Sequence, residues 1–207
     1  TLSSDLLSEE RPHMAATLEG YHSTIMHVLV RFGKWQTILE TPLPDDPVLY
    51  CVSTAMCHYA RSVAHSALGQ IEAATQERDL FRATWDKVPE SRLFFNNNAT
   101  DILAIANSMM MGELEYRKNN YDAAFNHLES AVELNDNLYY TEPWAWMHPP
   151  RHALGALLLE QGHVEKAEQV YRADLGIDEM LARPHQHPNN VWSLHGYLEC
   201  LQRTNQL

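Results

Sequence analysis

The stretch Asp101–Asn137, "DILAIANSMMMGELEYRKNNYDAAFNHLESAVELNDN", decides the fold. Apolar residues recur at helical spacing on both sides of Asn119-Asn120, a pair that favours turns, so the segment reads as two helices joined by a tight break. Gly112 in the first helix and Ala124 and Ala131 in the second are small, which lets the two axes approach closely. Such a pair cannot bury both apolar faces alone and must stack on neighbours.

Similar pairs lie on either side. "MHVLVRFGKWQTIL", "YARSVAHSALGQIEAATQERDLF" and "RHALGALLLEQGHVEKAEQVYRADL" each carry a helix, a turn glycine (Gly33, Gly69, Gly162) and a second helix. "NNVWSLHGYLECLQ" supplies one more first helix, with Trp192 and Gly196. No alternating β-branched run is long enough for a sheet, so the expected class is all-α.

In this register the chain resembles the tetratricopeptide repeat, in which a small residue in the first helix, a turn glycine, an aromatic after the turn and two alanines recur. Gly112, Asn119, Tyr121, Ala124 and Ala131 match it, with Asn119 replacing the turn glycine. Leu154, Gly155, Gly162, Ala167 and Tyr171 match it again, as do Gly69, Ile71 and Ala74, and Gly33, Trp35 and Ile38. The resemblance implies a right-handed superhelix of about four and a half helix-turn-helix units in one domain over 1–207, at 19–43, 55–88, 98–137, 148–181 and an incomplete 189–207. Turns at 33, 69, 119 and 162 are spaced wider than a strict repeat of roughly 34 residues, and proline-bearing links such as "TPLPDDP" and "RPHQHP" take up the excess. HEAT-like arrays have a longer period but lack this small-residue register. "EPWAWMHPPRHALGALLLEQG", "EKAEQVYRADL" and "PNNVWSLHG" further resemble the C-terminal half of long microbial tetratricopeptide proteins, departing at Ala145, where the pattern commonly has proline. A start at Thr1 and a half-unit at the end suggest a fragment of a longer chain.

Charge narrows the partners. Against 27 Asp and Glu stand 15 Lys and Arg, a net charge of -12, which disfavours nucleic acid because phosphate binding needs concentrated positive surface. A protein or peptide partner, preferably basic, fits better, as does self-association through the incomplete last unit or association with a missing N-terminal part. No window approaches the roughly 18 apolar residues of a membrane span. Three cysteines without CxxC spacing support neither disulfides nor a thiolate metal site, which makes a cytoplasmic setting the default.

In the repeat family the first helix of each unit lines a concave groove. Carried over, the groove candidates are His27, Arg31, Tyr59, Met109, Glu113, Tyr116, Arg117, His152, Glu160 and Tyr197. Of the run Met109–Met111, most must pack in the core, because three consecutive residues cannot share one helix face. Twelve histidines draw attention to "HPPRH", where His148 and His152 stand four apart. That spacing stacks two imidazoles on one helix face, sound geometry for copper, iron or zinc. The competing view makes His148 an exposed residue ahead of a helix opened by Pro149 and Pro150, Arg151 a surface cation and His152 a polar groove residue. Two functional readings follow: a binding module whose groove holds a peptide, partner protein or small ligand without a cofactor, or a histidine-ligated copper or non-haem iron oxidoreductase.

Overall fold

The computed structural model describes residues 12–206, which are mostly helical. Among them are nine α-helices: α1 (Pro12–Arg31), α2 (Trp35–Glu40), α3 (Cys51–Ala67), α4 (Ile71–Trp85), α5 (Ala99–Arg117), α6 (Tyr121–Asp136), α7 (Pro150–Glu160), α8 (Val164–Leu175) and α9 (Val191–Arg203). Helix α1 begins ahead of the start expected at 19, α3 ahead of 55, and α8 stops short of 181 because Gly176 takes a left-handed backbone. None of the described helices is long and apolar enough to cross a membrane.

Four turns are built alike. Gly33, Gly69, Asn119 and Gly162 all have positive φ, at 60°, 73°, 64° and 80°. At the third, the Asn119 N–H donates to the Tyr116 carbonyl and the Asn120 N–H to the Glu115 carbonyl, both at 2.9 Å. This pairing satisfies carbonyls left free at a helix end, and it needs a residue that tolerates the left-handed region, which asparagine does. The same two bonds close the turns at 33, 69 and 162, and they recur after α9, where Asn205 has φ 54° and the Gln206 N–H reaches the Leu201 carbonyl.

Each turn folds a helix back on its successor: α3 packs on α4, α5 on α6 and α7 on α8. Stacking follows through α1 on α3, α3 on α5, α6 on α7 and α8 on α9. The small residues mark the closest approaches. Tyr171 of α8 is wedged between Gly155 of α7 and Gly196 of α9, where an added Cβ would lie 2.5 and 2.2 Å from the phenol ring. Met110 is fully buried and Met109 nearly so, as core packing requires.

One small element escaped the sequence reading. Leu93–Phe94 (β1) and Asn97–Asn98 (β2) form a two-residue antiparallel ladder around Phe95, whose φ is 56°. Its role is positional. The Asn97 carboxamide donates to the Tyr139 carbonyl at 3.0 Å and accepts from the Tyr139 N–H at 2.8 Å, which pins the link between α6 and α7 as a strand neighbour would. Phe95 meets Tyr21 of α1 edge-on at 5.1 Å.

Candidate functional site

The first helices of the pairs, α1, α3, α5, α7 and α9, together line a cavity of about 820 Å³. Seven of the ten groove candidates reach it: Arg31, Tyr59, Met109, Glu113, Arg117, His152 and Glu160. His27, Tyr116 and Tyr197 do not line it. Tyr116 turns toward Tyr121 and Phe125 and accepts a hydrogen bond from Gln161, and the Tyr197 hydroxyl accepts one from Arg172. His27 lies buried beneath the cavity, edge-on to Trp146 at 4.7 Å.

The histidines organise one side. The chain enters α7 through Pro149 as cap and Pro150 in the first turn, where a missing amide hydrogen costs nothing. This entry places His148 and His152 inward, and both are buried, so the view of His148 as an exposed residue does not hold. His148 Nε2 lies 3.3 Å from His27 Nδ1, across from α1. Burial pushes His27 down to about 3 and His148 well below its ordinary value, the latter further opposed by His27 and Arg31 nearby. Both are neutral at pH 7. His27 Nε2 has no hydrogen-bond partner among the described residues. An orphaned acceptor costs less than an orphaned donor, so the proton belongs on Nδ1, donated to His148.

His152 has a tautomer fixed by its neighbours. Arg31 Nη2 stands 2.8 Å from Nδ1, and a guanidinium can only donate, so Nδ1 accepts. The remaining proton sits on Nε2 and is donated to Asp174 Oδ2 at 3.0 Å. Asp174, fully buried near the end of α8, also accepts from His187 Nδ1 at 2.8 Å and from Ser193 Oγ at 2.5 Å. Burial alone would raise the Asp174 carboxyl, but the bonds from His152 and His187 more than offset it and hold the group below the usual range. Burial lowers His152, partly countered by Asp174. One carboxylate thus ties α7, α8, the link to α9 and α9 itself.

His148 and His152 therefore turn to different partners rather than converging. Both nitrogens of His152 are engaged, and among the described residues no group of three or more His, Cys, Asp or Glu is arranged to hold a metal ion. Arg151 is likewise no surface cation: it is buried and forms a bidentate pair with Asp136, both contacts at 2.6 Å. His58 meets Glu77 at 2.6 Å, whereas His22 stacks on Tyr50 at an exposed position.

The opposite side of the cavity carries charge in pairs. Arg117 Nε donates to Glu113 at 2.7 Å, and Arg203 Nη2 to Glu199 at 2.5 Å. Apolar wall comes from Val30, Trp35, Tyr59, Val63, Met109 and Trp192. Asp174 and Trp192 are not among the site residues that the sequence points to, whereas Ser193 falls at a groove position and His187 in the histidine-bearing loop. An aspartate on the buried face of α8, inside "YRADL", was the available signal.

The chain matches no family model, and comparison with curated proteins and with solved structures likewise yields no match.

Proposed function

We propose that the chain is a tetratricopeptide-like binding module, a right-handed superhelical array of about four and a half units whose inner helices enclose a ligand site. The observation that carries this reading is the shared cavity. Five inner helices contribute to one concave space of about 820 Å³, the size class of small-molecule and short-segment sites. Its lining mixes aromatic and aliphatic surface with a few fixed polar groups, the pattern that gives affinity from the first and orientation from the second. The histidines support this scaffold: His27 pairs with His148, and His152 bridges Arg31 and Asp174.

A thermal-shift screen of peptides and small molecules against the folded chain tests the reading. Ala156, exposed on the cavity wall, provides the control, because Ala156→Trp fills the space without disturbing a packed core. A genuine ligand at a hundredfold excess over Kd should stabilise by about 2.7 kcal/mol, and the shift should vanish in the variant. Ligands that stabilise the Ala156→Trp protein equally would show that the cavity is not the binding site.

A further inference from the structure

The chemistry of the cavity's occupant can be read from one imbalance, an argument that rests on the binding-module reading. Three arginines reach the cavity, Arg31, Arg117 and Arg203. Arg117 is matched by Glu113 and Arg203 by Glu199. Arg31 is not: among the described residues its hydrogen bond runs to the neutral Nδ1 of His152, and no carboxylate lies within ion-pair distance. Its guanidinium lies over the Trp192 ring, 4.3 Å from Cζ to centroid, so one face is covered and one amine is used. A guanidinium carries five N–H donors in a planar fork, and Arg31 lines the cavity with donors beyond the one His152 takes.

Half-buried and, among the described residues, without a paired carboxylate, Arg31 is suited to a planar oxyanion, which a guanidinium can grip through two parallel hydrogen bonds. Glu113 and Glu199 are matched by arginines, which leaves Glu160 as the carboxylate in the space that opposes a ligand with two or more negative charges. A single charge is tolerated. The rest of the ligand must suit Val30, Trp35 and Ala156, which line the cavity, remain accessible and carry no charge.

We propose that the cavity binds a small amphipathic monocarboxylic acid, its carboxylate on Arg31 and its aryl or alkyl body against Val30, Trp35 and Ala156. The Trp192 ring and His152 hold the guanidinium in place before the ligand arrives, which reduces the ordering cost of binding.

Titration calorimetry on the whole chain tests this with matched probes: 4-phenylbutyrate against 4-phenylbutanol, and octanoate against octanol and octyl phosphate. The acids should bind at least about tenfold more tightly than the alcohols, equivalent to about 1.4 kcal/mol, and more tightly than the phosphate. Arg31→Gln should erase the preference for acid over alcohol, while Arg78→Gln, on α4 away from the cavity, should leave it intact. The comparison among probes on the unaltered chain stands even where Arg31→Gln folds poorly. Equal binding of acid and alcohol would overturn the carboxylate assignment and leave the module reading standing. Tighter binding of octyl phosphate would overturn the preference for a single charge. Failure of every probe would overturn the inference, and the peptide arm of the thermal-shift screen would then decide the module reading by itself.

Discussion

His27 shows what burial does to a single side chain. Unfolded, its imidazole takes up a proton below about pH 6.5; folded, it does so only near 3, so stability falls as pH drops across that window. At pH 5.5 the loss from this one group is about 1.4 kcal/mol. Chemical denaturation at pH 7.5 and 5.5 should show it, and His27→Gln should flatten the dependence; an unchanged slope would mean that the ring is not held neutral. Tyr171 makes the same point for volume. Because the ring meets both Gly155 and Gly196 within contact distance, Gly196→Ala should destabilise by about 1–3 kcal/mol through overpacking, read as a lower denaturation midpoint. Retention of the midpoint would mean that the phenol can move aside.

At the scale of helices and turns, Asp174 decides how α7, α8 and α9 meet. Asp174→Asn keeps the shape but replaces one acceptor by an N–H donor, and His152 cannot compensate by switching tautomer, because Nδ1 must still accept from Arg31. The expected cost is about 2 kcal/mol, the scale for losing a hydrogen bond to a charged group, and a variant as stable as the parent would remove Asp174 from its central role. Asn119→Ala should cost about 1 kcal/mol in the left-handed turn, and Asn119→Gly little or nothing. These turns were the part most open to sequence reading, since Gly33, Gly69, Asn119 and Gly162 each announce a backbone conformation by residue type alone. The helices between them followed from periodicity. What the sequence hid were contacts between distant positions: His27 and His148, or Arg31 and His152, are 121 residues apart, and no local pattern encodes their meeting. His148 misled for the same reason, since a histidine before two prolines looks exposed until α1 is laid across it.

For the whole molecule, the distribution of charge and the shape of the cavity pull apart. On the proposed reading, a net charge of -12 would suit a basic partner on the outer surface, while Arg31, without a carboxylate partner among the described residues, would suit an acid within. High salt should therefore weaken an external partner more than the cavity ligand, since buried pairs are less screened. Another whole-molecule property follows from α1. A row of repeats in which each touches its neighbours alone melts like a line, fraying inward from both ends. Here Arg31 of α1 reaches His152 of α7 and Trp192 of α9, and His27 reaches His148, so the first and last units share contacts. These side-chain contacts tie α1 to α7 and α9, so neither end helix is held by its chain neighbours alone. Loosening α9 should be felt in α1, and amides of both helices should exchange with solvent at a common rate set by one cooperative opening.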